Sequence, residues 1–146
     1  GPLAHQSKKN MPFNKVETPS EKAYHLGLFF IKAGHMKEAK KAFNQFMKTF
    51  PNDAKIDDAL YWKGFIAIQE QSLNEAKKDF SAIVKDFPLS KRQPEALLQL
   101  ALIDEKDNHY EEALRTYETI IKKYPKTQSA KTAQRKINAL SGMLNT

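Results

Sequence analysis

The stretch EAKKDFSAIVKDFP, at residues 75–88, has two counterparts elsewhere in the chain. EAKKAFNQFMKTFP ends at Pro51 and EALRTYETIIKKYP ends at Pro125, so the closing prolines lie 37 residues apart. Alanine, aromatic and aliphatic residues recur in the same columns and fall on one face of a helix, which the proline then ends. This self-similarity predicts a series of helical units that must stack to bury their apolar faces.

Polar residues mark where each helix is expected to begin. Thr18 is a predicted N-cap, with Pro19 at the first helical position and Glu21 completing a capping box. Ser72 and Glu75 have the same S-x-x-E spacing and predict a second capping box. One column, two residues after each proline, is predicted to cap the helix that follows: Asp53, Ser90 and Thr127.

Small residues indicate where helices approach closely. Gly27, Gly64 and Ala101 share a column inside the first helix of each unit, where glycine costs about 1 kcal/mol relative to alanine. Close packing against the second helix is the expected compensation. Gly34 and Asn108 are predicted to adopt the left-handed conformation that ends the first helix before a tight turn.

The predicted fold is all-α: a right-handed superhelical array of three helix-turn-helix repeats followed by a C-terminal capping helix. The predicted segments are a flexible N-terminal segment 1–17, repeats 18–55, 56–92 and 93–129, and the capping helix 130–146. The capping helix is expected to expose polar residues: Lys131, Gln134, Arg135 and Lys136.

Composition excludes several classes of protein. The chain has no cysteine, which excludes disulfides and thiolate chemistry. No apolar run approaches the roughly 20 residues of a membrane helix, so membrane association is expected only through partners or a missing N-terminal region. Gly1 and Pro2 are typical of what a tag-cleaving protease leaves, and an upstream signal peptide, lipid-bearing cysteine or further domain stays open.

The repeated columns resemble the tetratricopeptide repeat (TPR), whose pattern ends in A-x3-F and a proline. Ala39, Phe43 and Pro51 match that ending, and Leu26 and Gly27 match earlier positions. The 37-residue period and the stretches AYHLGLFFIKAGHMKEAKKAF and ALYWKG resemble a bacterial envelope subgroup. Within it, the chain is similar to the C-terminal domain of the Tol-Pal-associated YbgF/CpoB family and secondarily to BamD-like outer-membrane assembly lipoproteins.

This resemblance implies a non-catalytic adaptor of the bacterial cell envelope. The resemblance to the YbgF/CpoB family implies a periplasmic protein that binds Tol-Pal and cell-division components. The alternatives are a BamD-like scaffold for outer-membrane β-barrel assembly and a generic TPR scaffold of another complex, for which a cytoplasmic location stays open. In each case the implied partner is a protein or peptide.

The resemblance also implies that a partner segment docks in a concave groove lined by the first helix of each repeat. The lysine and asparagine pattern with which some TPR domains hold a C-terminal carboxylate is missing here. Tyr24, Tyr61 and Phe65 are the preferred contacts, whereas Trp62 is expected to pack against the preceding repeat. The predicted groove residues are Glu21, Tyr24, Leu28, Ile31, Asp58, Tyr61, Phe65, Ile68, Glu95, Leu98 and Leu102.

Two positions depart from the repeat pattern. Lys63 and Asp104 stand where the repeat expects apolar residues, on the first helices of adjacent units. The hypothesis from the sequence is an ion pair between them.

The remaining signals predict no catalysis, metal or cofactor. His35 and His109 share a column two repeats apart and have no Cys or His at ligand spacing, and His25 is expected to pack near the core. No nucleophile elbow or phosphate loop is present. The net charge of +7 raises the question of nucleic acid, but acidic residues interleave with the lysines and no recognition helix accompanies them, which disfavours that partner.

Overall fold

A computed structural model describes residues 16–144, without the side chain of residue 144. The described residues form seven helices and no strand. In chain order they are α1 (Pro19–Ala33), α2 (Met36–Thr49), α3 (Ile56–Gln69), α4 (Leu73–Asp86), α5 (Gln93–Lys106), α6 (Tyr110–Lys123) and α7 (Gln128–Leu144). The prediction of an all-α array of helical hairpins ending in a single helix is confirmed, whereas most of the segment 1–17 lies outside the described residues.

The chain divides into two compact units, residues 1–50 and residues 51–146. In the first unit, α1 packs on α2. In the second unit, α3 packs on α4 and α5 on α6, α4 and α6 each also pack on the helix that follows, and α5 contacts α7.

The predicted start of α1 is confirmed. The hydroxyl of Thr18 accepts a hydrogen bond from the backbone N–H of Glu21, and the carboxylate of Glu21 accepts one from the backbone N–H of Thr18. Pro19 takes the first helical position, where its missing N–H removes no hydrogen bond.

Three of the other predicted caps need correction. Ser72 precedes α4, but its side chain makes no capping hydrogen bond, because its backbone (φ −94°, ψ 72°) lies outside the extended region typical of an N-cap. Asp53 and Ser90 lie a turn too early, since α3 and α5 begin three residues after them. Their side chains instead accept hydrogen bonds from the N–H two residues on, at Lys55 and Arg92.

Thr127 does cap a helix. Its hydroxyl accepts a hydrogen bond from the N–H of Ala130 in the first turn of α7, which begins directly after it. The 37-residue period is three residues longer than the roughly 34 residues of the usual tetratricopeptide repeat. The extra residues form a turn before α3 and before α5, but not before α7.

The tight approach of paired helices is confirmed. A Cβ atom on Gly27 would lie 2.5 Å from the ring of Phe43, and one on Gly64 would lie 2.5 Å from the ring of Phe80. Both rings are buried. Glycine is therefore required at these two positions by contact with an aromatic ring.

One column adopts the left-handed conformation in all three repeats. Gly34 has φ 77° and Asn108 has φ 63°, as predicted. Gln71 occupies the same column with φ 60°, although glutamine gives no sequence signal for this conformation.

Gln71→Gly is expected to stabilise the second unit by about 0.5–1 kcal/mol, because glycine adopts positive φ without the Cβ clash that glutamine meets. Urea unfolding followed by fluorescence of the single tryptophan, Trp62 in α3, measures the change. The exposed Gln69→Gly is the matched control and should destabilise, since residue 69 still lies in the helix. A loss of stability in Gln71→Gly would contradict the prediction.

Two apolar clusters form the core of the second unit. One joins repeat two to α5 and contains Ala76, Phe80, Ile83, Ala96 and Ile103. The other joins α5, α6 and α7 and contains Ala113, Tyr117, Ile120, Ala133 and Leu140. Ala67 of α3 joins the first cluster beside Ala96 of α5, and α5 contacts α7. One face of the unit is therefore built from α3, α5 and the final helix α7.

Candidate functional site

Arg92 organises the end of that face where α3 and α5 begin. Its Nε donates to Asp58 Oδ1 at 2.8 Å, and a terminal nitrogen donates to Glu95 Oε2 at 2.8 Å. Its guanidinium lies 4.1 Å from the ring centre of Tyr61, a distance at which a cation and an aromatic face attract each other. Arg92 thereby links the start of α3 to the start of α5 through Asp58, Tyr61 and Glu95, which are all predicted groove residues.

The loop before α5 is fixed by two further contacts. The Ser90 hydroxyl donates to Asp57 Oδ2 on α3. Gln93 is buried, and its amide donates to the carbonyls of Ile83 and Phe87 at 2.9 and 2.8 Å. These carbonyls, at the C-terminal end of α4 and just after it, also accept the backbone N–H groups of Phe87 and Ser90. Gln93 adds a second hydrogen bond to each and so ties the start of α5 to the end of α4.

These contacts shift the pKa values of Tyr61 and Arg92. Burial and the negative charge of Glu95 raise the pKa of Tyr61, and Arg92 partly opposes them. Burial opposes the charge on Arg92, but its hydrogen bonds and attraction to Asp58 and Glu95 prevail and raise its pKa. Tyr61 is therefore a neutral donor and Arg92 a fixed cation at physiological pH.

Aromatic rings continue along α3. Trp62 makes edge-on contacts with Tyr61 and Phe65, at ring-centre distances of 5.3 and 5.6 Å. The indole Nε1 of Trp62 is buried and makes no hydrogen bond among the described residues. Phe65 and Tyr61 are both partly exposed.

The other end of the face contains a cavity of about 480 Å³. Ile68 from α3 and Leu102 from α5, both predicted groove residues, line it beside Leu140 and Met143 of α7. Its wall is mostly apolar, and Lys106 and Lys136 supply positive charge.

A partly buried carboxylate in the wall of this cavity ties three helices together. Glu105 of α5 accepts a hydrogen bond from the hydroxyl of Tyr117 on α6 and pairs with Lys136 Nζ of α7 at 3.1 Å. Burial and the contact with Glu105 raise the pKa of Tyr117. Lys136, expected to be exposed, is only partly exposed where it makes this pair.

We call the surface between these two ends the α3–α5 face. Its ten-residue span from Asp58 to Ile68 corresponds to about 15 Å of helix. Contacts at its two ends bring together five predicted groove residues: Asp58, Tyr61, Ile68, Glu95 and Leu102. Phe65 and Leu98 stay predicted contacts.

The first unit requires a correction. Tyr24 is only 5% exposed and makes edge-on contacts with Phe43 and Phe46, so it belongs to the core of that unit and cannot be a preferred partner contact. Leu28 and Ile31 are partly exposed on α1, and Glu21 is used in the capping box.

The hypothesis of a Lys63–Asp104 pair is wrong. Lys63 Nζ lies 3.6 Å from Asp79 Oδ1, on the second helix of its own repeat. Asp104 lies near the end of α5, where it approaches His109 Nδ1 at 3.9 Å. The two residues thus face different neighbours.

The three described histidines, His25, His35 and His109, each contact different neighbours. His25 contacts Glu17 at 3.3 Å and is about half exposed, which corrects the expectation that it packs near the core. His35 stacks on Phe30 at a ring-centre distance of 6.3 Å. Between residues 16 and 144, no group of three or more His, Asp or Glu side chains could hold a metal ion.

Sequence reasoning missed Arg92, Gln93 and Glu105. Arg92 and Gln93 lie in the turn at the start of α5, where the sequence pattern carries no periodic signal. Glu105 does leave a signal. It stands in the column where the first two repeats have isoleucine, and in the same repeat Tyr117 stands where they have phenylalanine.

The helical hairpins and their stacked first helices define a tetratricopeptide-repeat protein, and residues 23–53 match a tetratricopeptide repeat model. Residues 53–133, more than half of the chain, match the model of the YfiO family, described as outer membrane lipoprotein. The chain belongs to the YfiO family. A comparison with curated proteins finds no match. No described helix has the length and apolar character that crossing a membrane requires.

Proposed function

We propose that this chain is a non-catalytic scaffold of the bacterial cell envelope that holds an extended segment of a partner protein against the α3–α5 face. The observation that carries the proposal is the pairing of a fixed polar end, built on Arg92, with an apolar cavity about 15 Å away. A surface with a few oriented polar groups beside an apolar pocket is typical of recognition sites.

The dimensions suit a short peptide. An extended chain advances about 3.3 Å per residue, so the face accommodates about four or five residues. An apolar side chain would enter the cavity beside Leu102, while main-chain groups would meet Tyr61 and Glu95. Glu21, Leu28 and Ile31 of the first unit stay predicted contacts.

The family match supports outer-membrane assembly as the process served, which is the BamD-like alternative. The Tol-Pal and cell-division role rests on the sequence resemblance of the repeats alone. Either role places the chain in the periplasm with envelope proteins as partners, and the YfiO description supports that location.

Site-specific photocrosslinking in the bacterial envelope tests the proposal. A photoreactive phenylalanine is placed at Leu98, a predicted groove residue of α5, or, as matched control, at exposed Lys77 of α4. We expect a discrete crosslinked partner at residue 98 and none at residue 77. A β-barrel assembly component would support the outer-membrane role, and a Tol component the cell-division role.

Leu102→Asp should abolish the crosslink at residue 98 while leaving the helical circular dichroism unchanged, because Leu102 is partly exposed. Equal crosslinking at residues 98 and 77, or a crosslink that survives Leu102→Asp, would refute the proposed face.

A further inference from the structure

The first unit has an apolar surface on the side of α1 that is turned to solvent. Leu26 is 50% exposed and Phe29 is 58% exposed, although most large apolar side chains of the described residues are at least partly buried. A depression of about 340 Å³ between α1 and α2 adjoins them, lined by Leu26, Phe30 and Ala42. We call this surface the α1 face.

The repeat columns show what such a surface does elsewhere in the chain. Leu26 and Phe29 correspond to Leu100 and Ile103 of α5. Ile103 is 3% exposed, and both residues pack in the cluster that contains Phe80 and Ile83 of α4. The same stripe of a first helix is thus the surface that receives an amphipathic helix in the second unit.

Charge distinguishes the α1 face from that internal interface. Lys22 takes the column of Ala59 and Ala96, each fully buried, and is itself exposed. Lys32, one turn after Phe29, and Lys41, at the depression, are also exposed. One carboxylate, that of exposed Glu38, also lines the depression. A helix that covers the apolar residues therefore passes three lysines and one glutamate, an excess of positive charge.

We propose that the α1 face is a second docking surface, independent of the α3–α5 face, and that its partner is an acidic amphipathic helix. Leucine-sized side chains of that helix cover Leu26 and Phe29, and its carboxylates pair with Lys22, Lys32 and Lys41. A second copy docked by the same face would bring these lysines together, and like charges oppose that arrangement. The exposed side of α7 offers Lys131 and Arg135, which repel the same surface.

Two stapled helical peptides with one apolar face test the proposal. The first has the sequence of α4, LNEAKKDFSAIVKD. The second has the same sequence with Lys77→Glu, Lys78→Glu and Lys85→Glu. Fluorescence anisotropy at low ionic strength should show the acidic peptide binding the 146-residue protein about tenfold more tightly, since three exposed ion pairs together produce a factor of about that size.

Phe29→Ser should weaken binding of the acidic peptide about tenfold or more, whereas Leu89→Ser, at a side chain 97% exposed in the second unit, should leave it unchanged. The double variant Lys22→Glu, Lys32→Glu should reverse the preference between the two peptides. This charge variant keeps the test decisive if Phe29→Ser fails to fold.

Equal binding of both peptides, or unchanged binding by Phe29→Ser, would overturn the proposal. So would a dimer in sedimentation analysis that Phe29→Ser dissociates, because it would assign the face to a second copy. Loss of the crosslink at residue 98 would leave the α1 face unaffected, so the two proposals fail separately.

Discussion

Lys63→Leu is expected to lower the free energy of unfolding by about 3 kcal/mol at neutral pH, because it leaves Asp79 as an uncompensated charge in a mostly buried position. The Lys63 and Asp79 side chains are only 18% and 12% exposed. The substitution would look conservative from the repeat pattern, since Leu26 and Leu100 occupy the same column. Urea unfolding monitored by Trp62 fluorescence measures the loss.

The loss should depend on pH in a defined direction. Burial raises the pKa of Asp79 even with Lys63 beside it, and removing the lysine raises that pKa further. The folded state then keeps a proton on Asp79 at a pH where the unfolded state has lost it. The destabilisation is therefore small below the ordinary aspartate pKa of about 4 and grows as the pH rises through the folded-state value.

Two variants make the result specific. Lys77→Leu removes an exposed lysine of α4 and should change stability by less than about 0.5 kcal/mol. The double variant Lys63→Leu, Asp79→Ala recreates the pairing of Leu26 with Ala42 in the first unit and should recover most of the loss. A double variant as unstable as Lys63→Leu alone would show that the pair with Asp79 is not the cause.

This pair shows how much the sequence could reveal. Comparison of columns between repeats shows that the repeat with lysine at residue 63 is also the one with aspartate at residue 79, where the other repeats have Ala42 and Thr116. Departures on the first helices alone point to Asp104 of the next repeat, whereas the observed partner lies on the second helix of the same repeat. Glu105 and Tyr117 are a second pair of departures from the repeat pattern within one hairpin. Comparing the departures inside each hairpin therefore predicts both the Lys63–Asp79 and the Glu105–Tyr117 contact.

Local chemistry makes some features of the fold predictable: the capping box at Thr18, the helix order and the close contacts of Gly27 and Gly64. Other features leave no periodic signal in the sequence. The contacts of Arg92 and Gln93 depend on how the three-residue extension folds into a turn, and the burial of Tyr24 depends on the rotation of α1 about its axis. Five predicted groove residues lie at the two ends of the α3–α5 face, because helical periodicity places them on one side of α3 and of α5.

Gly64→Ala is expected to destabilise the second unit by about 2 kcal/mol, although alanine is the better helix former. The new Cβ would lie 2.5 Å from Phe80 Cζ, and Phe80 is 1% exposed, so neither the ring nor the helix can move away freely. Strain of about 3 kcal/mol from overpacking exceeds the gain of about 1 kcal/mol in helix propensity. Urea unfolding followed by Trp62 fluorescence measures the net change.

Gly142→Ala provides the matched control, because no described heavy atom outside the local backbone of α7 lies within 4 Å of the Cβ position. It should leave stability unchanged or raise it by up to about 1 kcal/mol. If the ring of Phe80 causes the strain, Phe80→Leu should cost less in the Gly64→Ala background than in the parent protein, since the shorter side chain frees space for the new methyl group. The double-mutant cycle measures this coupling directly. Additive effects would mean that the loss in Gly64→Ala arises elsewhere than at the contact between α3 and α4.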